Sequence, residues 1–148
     1  MYDKALPYEW AKGLSFSTRG NALPYCISGW AEPELGLIWT DGLNARLSFT
    51  VLPPTSDVSL VISCFPYLGE GKIPFQEMHI FVNFLRVGFT VLKAPSEIDI
   101  SIPKQVFGLP RVDIDLYLPK AASPASLGVS NDLRELGVAV NRLMLVAS

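Results

Sequence analysis

Two of the three tryptophans lie in one short stretch, Gly29–Gly42, with the sequence GWAEPELGLIWTDG. The aromatic and acidic residues of this stretch are Trp30, Glu32, Glu34, Trp39 and Asp41. Indole rings stack on apolar C–H faces, and carboxylates accept hydrogen bonds from hydroxyl groups. This combination is typical of surfaces that recognise sugars. The segment therefore predicts a ligand-binding surface.

The same residues also allow a structural interpretation. Both indoles can close one end of a folded domain, each donating its N–H to a partner in the fold. On this interpretation Trp39 is expected in the core, whereas Trp30 suits either role. Arg134 favours the structural role, because it can form a bidentate ion pair with Glu34 or Asp132 that ties the last loop to the first.

Residues typical of catalysis are sparse. His79 is the single histidine, it falls on the polar phase of a predicted strand, and we expect it to be exposed or at a sheet edge. The sequence contains no GxSxG nucleophile motif and no phosphate-binding P-loop motif. Asp113 and Asp115 lie two apart on one strand face, which we interpret as a solvated outer surface. We therefore expect no catalytic residues and no enzyme activity from this chain.

Metal and cofactor binding are not expected either. One histidine and two separated cysteines, Cys26 and Cys64, cannot assemble an ordinary zinc site. The oxygen-bearing residues that calcium would need are better explained as turn formers; they are Asp41, Asn44, Asn131 and Asp132. Each cysteine lies in an apolar run, which predicts two buried free thiols. A single bridge between them stays open for a domain outside the cytoplasm.

The elements that must position these residues are strands. Apolar and polar residues alternate with a period of two in segments such as Ala45–Leu52, Glu77–Phe84 and Arg111–Leu118. Six further segments complete a set of about nine strands: Leu14–Thr18, Leu23–Ser28, Val58–Phe65, Arg86–Leu92, Glu97–Ile102 and Val138–Val146. Helical patterns are almost absent. The pattern predicts an all-β, jelly-roll-like sandwich of two antiparallel sheets that spans residues 1–148 as one domain, complete or cut from a longer protein.

The order of several short motifs resembles a β-sandwich domain of bacterial glycosyltransferases and related surface-polysaccharide proteins. These motifs run from about Leu14 to Val146 and are the 29–34 and 36–47 stretches, Pro74-Phe75-Gln76, Asn83, Ser123-Pro124 with Leu127-Gly128, and Asp132-x-Arg134-x-Leu136-Gly137. The resemblance implies a non-catalytic accessory domain, similar to carbohydrate-binding modules. It implies a ligand role for Trp30, Glu32, Glu34, Trp39, Asp41, Asp132 and Arg134. The family has Asn-Gly where this chain has Asn83-Phe84, a departure that predicts an altered turn and an exposed Phe84.

Composition excludes other classes of function. The chain carries a formal net charge of −2 without a basic cluster, which argues against nucleic-acid partners. No apolar run is long enough to span a bilayer, and the first residues lack a signal-peptide core, so we expect a soluble, cytoplasmic protein. A mean hydropathy of +0.31 and outward-facing apolar residues, Val61 and Phe81, support an alternative to sugar binding. That alternative is an assembly module that forms a homo-oligomer or docks onto a partner enzyme, for example a glycosyltransferase.

Overall fold

The segments in which apolar and polar residues alternate form strands of two packed β-sheets. The computed structural model describes residues 5–147. Because successive side chains of a strand point to opposite faces, the apolar phase of each strand turns inward. Val112, Ile114 and Leu116 of one strand are fully buried, and so are Ala45 and Leu47 of the strand beside it. The predicted inward-facing residues of these two strands therefore form the core.

Eleven strands are present in residues 5–147. They are β1 (Leu6–Pro7), β2 (Leu14–Ser15), β3 (Cys26–Ser28), β4 (Ile38–Asp41), β5 (Asn44–Thr50), β6 (Val58–Pro66), β7 (Gln76–Val82), β8 (Leu85–Leu92), β9 (Ser96–Ile102), β10 (Arg111–Tyr117) and β11 (Leu136–Ala147). Three short 3-10 turns accompany them, at Leu23–Tyr25, Gly69–Gly71 and Lys104–Phe107. The prediction of about nine strands missed β1 and β4.

The strands form a front sheet and a back sheet. The front sheet has the order β1-β5-β10-β7-β8, with β3 also pairing with β5. The back sheet has the order β2-β11-β6-β9, with β4 also pairing with β11. Neighbouring strands in the described chain are antiparallel except β1 and β5, which are parallel. The predicted fold class, a two-sheet β-sandwich, is confirmed.

The core fills the space between the two sheets. Its largest fully buried side chains come from both sheets and include Phe16, Phe49, Leu60, Ile62, Met78 and Ile114. Residues on the opposite phase of each strand form the two outer faces of the sandwich. These outer faces carry the aromatic and charged residues that are available to a ligand.

Candidate functional site

Strand β4 divides the Gly29–Gly42 segment into two halves. No strand is predicted in this segment, but residues 38–41 pair with β11 and extend the back sheet. Trp30 forms an isolated antiparallel bridge with Thr40, so the first half of the segment runs beside β4. Gly29 permits this path, since its φ is +80° and a Cβ there would lie 1.9 Å from the carbonyl oxygen of Asn44.

Trp30 faces inward. Its ring packs against the buried Phe16 with 5.5 Å between ring centroids, and its indole N–H donates to the carbonyl oxygen of Arg46 at 2.9 Å. Its cross-strand partner Thr40 is fully buried. The partly buried indole therefore closes one side of the core, and its one polar group is already satisfied.

Trp39 lies on the outer face of the back sheet, and the expectation that it belongs to the core is wrong. Side chains alternate along β4, so Ile38 and Thr40 are buried while Trp39 is partly exposed between them. The indole makes edge contacts with Phe65 at 5.3 Å and with Tyr67 at 6.1 Å between ring centroids. In the register, Ala139 lies between Trp39 and Phe65 and is fully buried. The three rings thus form an outward-facing aromatic cluster over a small residue.

An ion-pair network lies near Tyr67 of this aromatic cluster, close enough for the Asp132 carboxylate to raise the pKa of the Tyr67 hydroxyl. Arg134 donates through Nη2 to Asp132 Oδ2 at 2.7 Å and through Nε to Asp132 Oδ1 at 3.1 Å. Nη1 of Arg134 reaches Glu34 Oε2 at 3.4 Å. Hydrogen bonds from the Arg134 side chain and backbone lower the pKa of Asp132 below its ordinary value. The network joins the loop before β11 to the loop before β4, which is the tie expected from the sequence.

Tyr67 belongs to the same surface, although it is not among the residues predicted from the sequence. It lies two residues after Phe65 on the outward phase that continues from β6, a spacing that could have signalled it. Its hydroxyl oxygen is buried and makes no hydrogen bond within residues 5–147. Burial raises the pKa of Tyr67, and the nearby carboxylates of Glu70 and Asp132 raise it further. An unpaired buried hydroxyl beside a carboxylate is a polar group still able to take a partner.

The remaining predicted residues serve other positions. Asp41 Oδ1 accepts a hydrogen bond from the backbone N–H of Glu135 at 2.9 Å, which fixes the end of β4 to the loop before β11. Glu32 is exposed and, with Trp30, lines a separate shallow cleft of about 240 Å³. We name the surface formed by Glu34, Trp39, Phe65, Tyr67, Asp132 and Arg134 the Trp39 surface. The structure therefore brings together Glu34, Trp39, Asp132 and Arg134, and separates them from Trp30 and Glu32.

The expectation that Asp113 and Asp115 form a solvated face is wrong. Their exposed fractions are 8% and 5%, because arginine side chains of the front sheet cover them. Arg46 pairs with Asp115 through Nε at 2.9 Å, and Arg111 pairs with Asp113 through Nε at 3.2 Å. Each carboxylate is thus held in an ion pair on the outer face of the front sheet.

The two cysteines are free thiols, and the partly buried His79 ring lies between two aromatic rings. Burial raises the pKa of both Cys26 and Cys64 to about 12. His79 lies on the inner strand β7 and not at the sheet edge, with Phe89 at 4.6 Å and Tyr117 at 5.6 Å between ring centroids. Within the described residues, no cluster of three or more His, Cys, Asp or Glu side chains could hold a metal ion.

None of the helical segments in residues 5–147 is long and apolar enough to cross a membrane. No model of a known protein family matches the chain, and no curated protein matches it in sequence.

Solved structures do resemble this fold. The CBM36-1 domain of a multidomain xylanase from the hindgut metagenome of Trinervitermes trinervoides superposes with a TM-score of 0.53 at 13% identity, covering 93% of this chain and 97% of that domain. A family GH115 4-O-methyl-α-glucuronidase with specificity for decorated arabinogalactans also gives 0.53, at 14% identity. In that case the match covers 100% of this chain but only 18% of the enzyme.

A family 35 carbohydrate-binding module from Clostridium thermocellum is also similar, with a TM-score of 0.48 at 13% identity, covering 93% of this chain and 100% of that module. The match to the CBM36-1 domain, at a TM-score of 0.53, defines the class of the fold as a β-sandwich like that of this carbohydrate-binding module.

Proposed function

We propose that this chain is a non-catalytic carbohydrate-binding domain and that the Trp39 surface is its sugar site. One observation carries the proposal. An indole on the outer face of the back sheet lies beside a fixed arginine–carboxylate pair and a buried tyrosine hydroxyl with no partner in the described chain. Sugar recognition needs an apolar ring and oriented polar groups at its edge, and this surface supplies both.

The polar groups of the Trp39 surface are held in place before a ligand arrives. Three hydrogen bonds join the Arg134 guanidinium to the Asp132 carboxylate. The backbone of Tyr67 donates to the carbonyl oxygen of Gly137 at 2.8 Å and accepts from Gln76 Nε2 at 2.8 Å. Preorganised groups lose less conformational entropy on binding, which favours an uncharged, hydroxyl-rich ligand such as a sugar. A pyranose stacked on Trp39 would place its hydroxyls at the partly exposed carboxylate of Asp132.

The proposed context is a larger surface-polysaccharide protein, most simply a bacterial glycosyltransferase. The motif resemblance from Leu14 to Val146 supports it. The fold similarity to one domain of a multidomain xylanase, and to a small part of a much longer glucuronidase, is consistent with an accessory role. In this proposal the domain holds the glycan while a catalytic domain acts on it.

Titration followed by NMR amide shifts tests the site. The probes are methyl glycosides of glucose, galactose, mannose and rhamnose, together with N-acetylglucosamine, at millimolar concentration. We expect shifts at the amides of Trp39, Tyr67 and Arg134, and at least tenfold weaker binding in Trp39→Ala. The matched control is Leu133→Ala, because Leu133 lies between the two ion-pair residues and is 82% exposed. Unchanged affinity in Trp39→Ala, or no shift with any probe, would overturn the proposal.

An assembly module is the second candidate function. Several apolar side chains of β8 are exposed at the free edge of the front sheet, namely Leu85, Phe89 and Val91. In contrast, Val61 and Phe81, which the strand pattern predicts to face outward, are partly buried. Exposed apolar residues on an edge strand favour association with another chain. Light scattering at protein concentrations from about 10 to about 500 μM tests this function, because self-association increases with concentration. A constant monomer mass over this range would reject self-association.

A further inference from the structure

The hairpin between β7 and β8 has an unfavourable backbone at its tip. Asn83 and Phe84 both have positive φ, at 50° and 68°. A two-residue hairpin turn of this kind favours glycine at its second position, and a bulky residue there is strained. Asn83 anchors the turn, since its Nδ2 donates to the carbonyl oxygen of Val106 at 3.0 Å and its Oδ1 accepts from the N–H of Asp113 at 2.9 Å. The side chain of Phe84 is instead 72% exposed, as the sequence predicted.

Burial in the core does not explain Phe84. Its ring lies over the guanidinium of Arg46, with 5.3 Å between the guanidinium carbon and the ring centroid. A strained, exposed aromatic residue that contributes little to the core points to a role at the surface, because such strain is found most often at functional sites.

Phe84 forms one wall of a shallow groove on the outer face of the front sheet. The groove has a volume of about 280 Å³ and is lined by Asn44, Arg46, Phe81, Phe84 and Asp115. We call it the Phe84 groove. Its volume lies just below the range typical of drug-sized ligands, which suits one sugar ring better than a large molecule.

Hydrogen bonds hold the polar side chains of the Phe84 groove in place, and the charges of Arg46 and Asp115 cancel. Arg46 donates through Nε and Nη2 to the two oxygens of Asp115, at 2.9 and 3.2 Å. Asn44 Nδ2 donates to Asp115 Oδ1 at 2.9 Å. These three hydrogen bonds use Nε and Nη2 of Arg46 and Nδ2 of Asn44, so holding Asp115 requires neither Nη1 of Arg46, a donor, nor the amide oxygen of Asn44, an acceptor. A neutral ion pair with a spare donor and a spare acceptor matches neutral hydroxyl groups better than a charged ligand.

We infer that the Phe84 groove is a second carbohydrate site, on the sheet opposite the Trp39 surface. The inference rests on the proposed function, namely that the domain binds carbohydrate. One pyranose ring packs its C–H face on the Phe84 ring, while its hydroxyls pair with Arg46 and Asn44. The domain would then engage a polysaccharide at two places, and the two contacts together bind a long glycan more tightly than either alone.

An aromatic row extends the groove along the same outer face. Tyr117, His79 and Phe89 are direct cross-strand neighbours on β10, β7 and β8. They lie one row from Asp115 and Phe81, which are themselves paired across β10 and β7. Beyond the groove the outer face thus continues as a row of aromatic side chains, on which a second sugar unit of a chain could stack.

The test uses the same methyl glycosides and N-acetylglucosamine, with amide shifts recorded separately at the two sites. In the wild-type chain we expect shifts at Asn44, Arg46 and Phe81 as well as at the Trp39 surface. Phe84→Gly removes the ring and relieves the positive φ. We therefore expect this variant to melt at a higher temperature while losing at least tenfold in affinity at the groove, with the Trp39 surface unaffected.

Two variants complete the design. Phe84→Tyr restores an aromatic ring and should recover binding at the groove. Leu109→Ala removes another exposed apolar side chain, one outside the groove, and should leave both sites unchanged. This pair separates stacking at Phe84 from a general loss of surface apolar area.

Each contrary result has a distinct meaning. Shifts confined to the Trp39 surface overturn the second site and leave the proposed function intact. No shift anywhere overturns both. Equal affinity of Phe84→Gly and wild type at the groove overturns the stacking role of Phe84. Shifts of the groove amides on dilution without sugar, with none on sugar addition, show that this face associates with a second copy and overturn the sugar site.

Discussion

Trp30 and Trp39 belong to the same short segment but lie on opposite sides of the back sheet. Trp30 is opposite Thr40 and shares its inward direction, whereas Trp39 precedes Thr40 and points outward. Trp30 donates its N–H to the carbonyl oxygen of Arg46, whereas Trp39 contacts the rings of Phe65 and Tyr67. Two chemically identical side chains therefore have different roles, because a one-residue step along a strand reverses the face.

The same contrast is present on β6. Cys64 faces the core and Phe65 faces outward beside Trp39. Inward-facing residues of these strands are expected to control stability, and outward-facing residues are expected to control binding. The following experiments test that division, in order of the expected size of the effect.

The largest effect is expected at the inward-facing thiol. Burial raises the pKa of Cys64 from 9.0 to about 12, so its thiolate fraction near pH 8 falls about a thousandfold. We expect very slow reaction with a disulfide reagent in the folded protein and rapid reaction in guanidinium chloride. Because the folded pKa is raised, the stabilising contribution is complete below pH 9 and declines as the pH rises towards 12. Fast labelling of Cys64 at pH 8 under native conditions would contradict its inward position.

Trp30→Ala is expected to have the next largest effect. The change removes an indole packed on Phe16 and leaves the carbonyl oxygen of Arg46 without its donor. We expect the free energy of unfolding to fall by about 3 kcal/mol, measured by urea denaturation. Trp30→Phe keeps the ring and serves as the control, with a smaller loss. A loss below about 1 kcal/mol would place Trp30 among the surface residues.

Trp39→Ala is expected to cost less stability. It removes two edge-on aromatic contacts on an outer face, so we expect a loss of about 1 kcal/mol by the same measurement. Its sugar affinity should nevertheless fall at least tenfold under the proposed function. A loss of stability as large as that of Trp30→Ala would remove the distinction between the two indoles.

The smallest effect concerns pH at the Trp39 surface. Arg134 lowers the pKa of Asp132, so their ion pair is complete above the ordinary value of 3.8 and is lost as the pH falls through the lowered value. We expect the amide shifts of Arg134 and Glu135 to stay constant from pH 8 to pH 5 and to change only in stronger acid. Asp132→Asn should abolish that transition. A transition midpoint above pH 5 would show that the pair does not form in solution.

The main strands could be predicted from sequence because the alternation in residues 45–52, 97–102 and 111–118 is nearly continuous. Strand β4 was missed because its four residues, Ile38–Asp41, between Gly36 and Gly42 are too few to show a period. The burial of Asp113 and Asp115 was missed for another reason. Alternation predicts which face a residue takes, but covering by Arg46 and Arg111 depends on neighbours in the assembled sheet.

The sequence by itself determined the two-sheet sandwich, the exposure of Phe84 and the presence of aromatic and acidic residues in Gly29–Gly42. The tertiary structure alone decided which of those residues act together. Pairing of β4 with β11 placed Trp39 beside Tyr67, near the Arg134 ion pair. Pairing of Trp30 with Thr40 directed the Trp30 indole towards the core. Side-chain direction in a strand depends on register, and register is set by pairing between segments that are far apart in the chain.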